Sequence, residues 1–150
     1  MVRDIPLSEI TLRKYEKPYD SSHRELMKKI CLSLGLLQPG DSRDIMVDIL
    51  VVLENSRKTR TWISSFEIKD KVEEVRKENS LEIKGLAESN IRRQLKRLRD
   101  AMLIDKHDNK YRLSEFESLS EIFHNKVEGF LVPQIIERIK EYLNKLDSKD

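Results

Sequence analysis

The sequence predicts a mainly α-helical protein that carries one small β-hairpin. Three observations lead there. Apolar residues recur every three to four positions in several separate stretches, which is helical spacing. Two short strand-like runs flank the turn-forming pair Asp108-Asn109. Charged residues make up 37% of the chain against 38% hydrophobic, a surplus that suits long amphipathic helices with charged outer faces.

Residues 1–20 hold two of the four prolines and read as an extended arm, with a short strand expected over 9–13. In "PYDSSHRELMKKICLSLGLLQPGDS" Ser22 and Glu25 fit a capping box, and Gly35 sits where a left-handed C-terminal cap belongs. Leu26, Ile30 and Leu34, with Met27 and Cys31 beside them, form the apolar face of that first helix. A second helix opens at "DSRDIMVDILVVLENS", capped by Asp41 or Ser42, with Asp44 in its first turn and Ile45, Ile49, Val52 and Leu53 as its buried stripe. "TRTWIS" is β-branched and aromatic and suits one short strand. Ser64 and Glu67 suggest another capping box, and Ile68, Val72 and Val75 mark the inner face of a third helix. The loop "ENSLEIKGLAE" pivots at Gly85, and helix resumes near Glu88 with Ile91, Leu95, Leu98 and Met102 as its inward stripe. "LIDKHDNKYRLS" then reads as the hairpin. The tail, 114–147, reads as two helices punctuated by Gly129 and Pro133: Phe116, Leu119 and Phe123 line the first, and Ile135, Ile139, Tyr142 and Leu146 repeat along the second.

Charge is the most informative feature. The net charge is only +2, yet "SNIRRQLKRLR", residues 89–99, holds five positive residues and no negative one. Residues 85–113 carry +4 and residues 114–150 carry −3. A solvated face normally mixes signs. At 100° per residue Leu95, Leu98 and Met102 lie within about 40° of Ile91. Ser89, Arg93 and Lys96 lie about 140–200° away, with Arg92 and Arg97 on the flanks. Arg or Lys on such a face can meet phosphates or the guanine edge in a major groove, and Asn90 has the chemistry to pair with adenine, as has Gln94 nearer the inner face. An unusually basic solvent face without a ligand is the alternative.

"AESNIRRQLKRLRDAMLIDKHDNKYRLSEF" resembles the third helix and wing of winged-helix transcription regulators: a small polar start, a basic helix, then "L-I" opening a hairpin closed by "Y-R-L". The order from 43 to 113 (helix, short strand, helix, loop, helix, hairpin) is that of a winged helix-turn-helix, and the resemblance covers about half the chain. Two departures stand out: the loop at 79–86 is long for the family, and Ala101-Met102 replaces a common glycine. The opening of the chain, "RDIPLSEITLRKYEKP" and "SLGLLQPGDSRD", is faintly similar to uncharacterised archaeal winged-helix proteins, a likeness that brings no activity.

The resemblance implies a winged helix-turn-helix core over 41–114, an N-terminal arm and helix (1–40) packing on it, and C-terminal helices (115–150) that dimerise. It implies a transcription regulator binding double-stranded DNA with 88–102 as recognition helix and 103–113 as wing, Lys106, His107 and Lys110 lying near the wing tip. The alternative within the fold is a module that docks a protein or RNA partner. Arg13, Lys14 and Lys17 are balanced by Glu9, Glu16 and Asp20, so the arm reads as a strap. The seam Ile135, Ile139, Tyr142 and Leu146, widened by Ile136 and Leu143, predicts a homodimer, with packing back on its own chain as the competing arrangement.

Neither catalysis nor a bound cofactor or metal is expected. His23, His107 and His124 lack ligand spacing, Cys31 is the one cysteine, and the four glycines build no phosphate loop. A single cysteine, no signal-peptide core and no apolar run of about 18 residues point to a cytoplasmic protein without membrane contact.

Overall fold

The computed structural model describes residues 4–149; Met1–Arg3 of the expected arm and Asp150 of the tail lie outside the described residues. At its centre is α2 (Ile45–Lys58), which is apolar almost all round: Ile45, Met46, Val47, Ile49, Leu50, Val52 and Leu53 are all buried. The expected stripe on one face thus understates it, because α1 (His23–Ser33), α3 (Ser65–Glu78) and a small sheet pack around it on different sides. Each fully buried Leu or Ile there contributes roughly 1.5–3 kcal/mol.

The sheet has three antiparallel strands in the order β1 (Ile63–Ser64), β3 (Lys110–Leu113), β2 (Ile104–His107). Ile63 and Lys106 both face Tyr111, and Ile104 faces Leu113, so "TRTWIS" is an edge strand on the hairpin. Asp108 and Asn109 both have positive φ, 48° and 61°, as a two-residue type I′ turn demands. Between α3 and β2 lies α4 (Glu88–Asp100), with Ile91, Leu95 and Leu98 buried. Met102, expected to extend that stripe, is already past the helix end.

Helix ends follow one recurring device. Leu36, Thr61, Leu81 and Leu103 donate their N–H to Cys31, Ser56, Arg76 and Leu98, each five residues back. The residue before each donor (Gly35, Arg60, Ser80 or Met102) is left-handed. This is the Schellman motif, which usually has glycine at that position. Only α1 supplies one. Met102 (φ 61°) therefore adopts a backbone conformation that this motif usually gives to glycine.

Several expectations change. Residues 4–22 form neither helix nor strand, so the strand at 9–13 is absent. The arm is instead tied to the end of α1: Arg13 N donates to Ser33 O (2.8 Å), and its Nη1 donates to Leu32 O (2.8 Å) and Leu37 O (3.1 Å). A Cβ on Gly35 would collide with Thr11, so the strap needs glycine there. Ser64 and Glu67 do form a capping box. At α2 the expected caps are displaced. Asp44 occupies the N-cap position without a side-chain cap bond, and Asp41 accepts from Arg43 N instead.

Asp44 is drawn into a buried charge quartet. Arg24 Nε donates to Asp48 Oδ1 (2.8 Å), and its Nη2 donates to Asp44 Oδ2 and Asp48 Oδ2 (both 3.1 Å). Arg76 Nη1 donates to Asp48 Oδ2 (2.6 Å) and Asp44 Oδ1 (3.0 Å), while its Nε holds Glu82 O (2.6 Å). Asp48 has no exposed surface. Burial alone would raise the Asp44 carboxyl, but hydrogen bonds from Arg76 and Arg24 outweigh it and hold it below its ordinary value. The quartet joins α1, α2, α3 and the loop that leads into α4.

The tail is one helix, not two. It runs from 119 to 147 with helical dihedral angles through both expected breaks. An α turn at Leu119–Ile122 passes into a π-helical stretch at Phe123–Leu131 and then into α-helix at Val132–Asp147. Val132 N–H bonds to Val127 O, five residues back. A Cβ on Gly129 would stand 3.0 Å from His124 O. Gly129 therefore fits the π stretch rather than ending the helix, and Pro133 falls in the first turn of the α-helix that follows.

Candidate nucleic-acid interface

The inner face of α4 is fixed by the core, so its outer residues are placed by helix geometry alone. Ser65 Oγ donates to Glu88 Oε1 (2.7 Å), joining the start of α3 to the start of α4. Asn90 Nδ2 donates to Gly85 O (2.8 Å), anchoring the left-handed pivot of the preceding loop.

Ser89, Arg92, Arg93 and Lys96 are exposed, and so is Arg99, which the sequence reading omitted from the site. Arg92 lies 3.3 Å from Glu88, and Lys96 lies 3.1 Å from Asp100. Such exposed i,i+4 pairs contribute only about 0.3–0.5 kcal/mol each, so an incoming anion displaces them readily. Arg93 Nη2 donates to Asn90 Oδ1 (2.6 Å). Among the described residues Arg99 has no ion-pair partner.

Arg97 and Asn90 are not brought into that row. Arg97 turns to the body, donating from Nη2 to Gly35 O (3.2 Å) and from Nη1 to Gln94 Oε1 (2.8 Å). Asn90 is occupied by Gly85, Arg93 and Gln94. Both sit on the flank of α4 that meets the neighbouring loops, which helix angle alone could not distinguish from the open flank.

The hairpin follows α4 through the Met102 turn. Lys106, His107 and Lys110 are all exposed near its tip. Lys106 Nζ sits 5.8 Å from the Tyr111 ring centre, and His107 Nε2 lies 3.2 Å from Asp108. At the base is a cluster the sequence reading missed. The Arg112 guanidinium lies 4.4 Å from the Trp62 ring and 4.7 Å from the Phe116 ring, and Arg60 lies 5.3 Å from Phe116. Arg112 is also paired to Asp105 (2.9 Å). The available signal was the pair of arginines bracketing Trp62 and Tyr111 in sequence, but only strand pairing puts them together.

Asp44 and Asp48 are taken by arginines, and among the described residues no group of three or more His, Cys, Asp or Glu that could hold a metal ion is present. No helix among the described residues is long and apolar enough to cross a membrane. No family model matches the chain, and no curated protein and no solved structure matches it significantly.

Proposed function

We propose that the chain is a winged helix-turn-helix protein of the transcription-regulator type that binds double-stranded DNA through α4, with the β2–β3 hairpin as its wing. One observation carries the reading: Arg92, Arg93, Lys96 and Arg99 project from a helix whose opposite face is buried, so their charge is available to a ligand and unnecessary to the fold. The resemblance of residues 87–116 to winged-helix regulators, and the pairing of β1 with the hairpin, support it. An α-helix fits the major groove, where Arg and Lys meet phosphates or guanine. The engaged Arg97 and Asn90 leave Ser89, Arg92, Arg93, Lys96 and Arg99 as the α4 contacts, with Lys106, His107 and Lys110 beside them on the wing.

The test is fluorescence anisotropy of labelled duplexes, specific and random, across a salt series. Changing Arg93 and Lys96 to Ala should leave the fold intact and make log affinity fall less steeply with log salt by roughly two, at about 0.9 per phosphate contact. Unchanged affinity in a folded double variant removes the recognition-helix assignment and favours a winged-helix module that docks a protein or RNA partner.

A further inference from the structure

Two apolar surfaces on this chain have no intramolecular partner among the described residues. The first is an open groove of about 1110 Å³ between the arm, α1 and the start of the C-terminal helix. Its apolar side includes Leu26, Ile30, Leu119 and Phe123. Leu26 and Ile30 were expected in the core, yet they are 41% and 38% exposed, because the buried face of α1 is formed by Met27 and Cys31 instead. The second is the free end of the C-terminal helix. Val132–Asp147 contains no buried residue, and Ile136, Ile139, Tyr142, Leu143 and Leu146 stand exposed along it. Because the helix continues unbroken from 119, the tail cannot fold back into the groove of its own chain.

We propose that each groove receives the C-terminal helix of a second copy, the two long helices lying antiparallel about Pro133. The groove lies at one end of the helix and the apolar tail at the other. Phe123 and Leu143 are twenty residues apart, about 30 Å along the axis. A two-fold axis near the helix midpoint is the operation that brings one copy's tail to the other's groove. In the register that places Pro133 beside Pro133 of the partner subunit, Phe123 faces Leu143 of the partner subunit and Phe130 faces Ile136 of the partner subunit.

Size favours this arrangement over contact between tails alone. Residues 132–147 span little more than two heptads, whereas a self-sufficient coiled coil needs three or four. Groove and tail together leave about nine large apolar residues roughly half exposed. At roughly 200 Å² for each such side chain, that is on the order of 900 Å², close to the roughly 800 Å² per partner of a stable interface.

Sedimentation velocity on the full chain at micromolar concentration should give a dimer. Leu143→Asp should give a folded monomer, and so should Ile30→Asp or, if that variant melts early, Leu26→Glu. The Phe123→Cys/Leu143→Cys double variant should oxidise to a covalent dimer, since the two positions cannot meet within one chain, while Leu143→Cys alone should not. A monomeric wild type overturns the proposal and leaves the groove to a different protein. A dimer that survives both groove variants, or that cross-links through Leu143→Cys alone, overturns it in favour of tail-to-tail contact. None of these readouts involves DNA, so they stand or fall apart from the reading of α4.

Discussion

Replacing Asp48 with Asn keeps the shape of the side chain and removes one charge from the buried quartet. Two guanidinium groups then face a single carboxylate, and the new amide NH2 points a donor at an arginine donor. Asp48 has no exposed surface and Arg76 is 7% exposed, whereas Arg24, at 18%, can turn partly to water. Breaking a buried pair by removing one partner costs about 3–5 kcal/mol. Arg24's escape and Arg76's remaining bonds to Asp44 and Glu82 O place the expected loss near the lower end, about 3 kcal/mol. Urea unfolding followed by Trp62 fluorescence and by circular dichroism reads this directly, with unchanged slope if the native state keeps its compactness. Replacing Arg24 and Asp48 together by Met and Leu should recover much of the loss, since apolar substitution of an ion pair is often neutral or better. A loss under 1 kcal/mol for Asp48→Asn would refute the quartet as a buried, mutually neutralising unit.

The same cluster sets an acid limit. The folded-state carboxyl of Asp44 titrates below its ordinary value of 3.8, so its contribution is complete above about pH 4 and is lost as pH falls through the lower folded value; Asp44→Asn should flatten that limb of the stability profile. Leu95→Ala, at a site with no exposed surface, should cost roughly 2–5 kcal/mol, whereas Arg92→Ala should cost well under 1 kcal/mol; equal effects in thermal melts would invalidate the helix's orientation. Ser80, exposed at φ 54°, should stabilise by about 0.5–1 kcal/mol when changed to Gly, because a left-handed residue with a Cβ is strained; a loss would contradict the turn geometry. Burial pushes the Cys31 thiol up to about 12, so it should resist alkylation at pH 8 in the folded protein and react on unfolding.

What the sequence made legible was periodicity and local turn chemistry. The Ile91/Leu95/Leu98 stripe, the Ser64–Glu67 box and the Asp108-Asn109 turn depend on neighbours within a few positions, and all three are present. Features set by distant residues were not legible. Asp44 reads as a cap until Arg24 and Arg76, 20 and 32 positions away, claim it. Arg97 and Arg92 occupy comparable flanks of α4, and only the position of Gly35 makes one inward and the other open. Gly129 and Pro133 resemble breakers because an uninterrupted α-helix is the default reference; Gly129 fits the π stretch, and Pro133 fits the first turn of the α-helix that follows it. The outer row of α4 was readable because its position follows from an inner face that the core fully determines.

The π stretch has a further effect, on direction. Ile122, Val127 and Leu131, the buried residues of this region, are spaced by five and then four positions, the first interval wider than the three-to-four of an α-helix. A residue more or fewer within an α-helix turns everything beyond it by about 100° and shifts it by about 1.5 Å. The stretch therefore works as an indexing joint: it keeps Val127 and Leu131 against the body while deciding which way the sixteen residues of Val132–Asp147 point. Deleting Gly129 would let the helix relax to ordinary α spacing and would swing Tyr142 and Leu143 to another side of the molecule, with the amino acids of the tail unchanged.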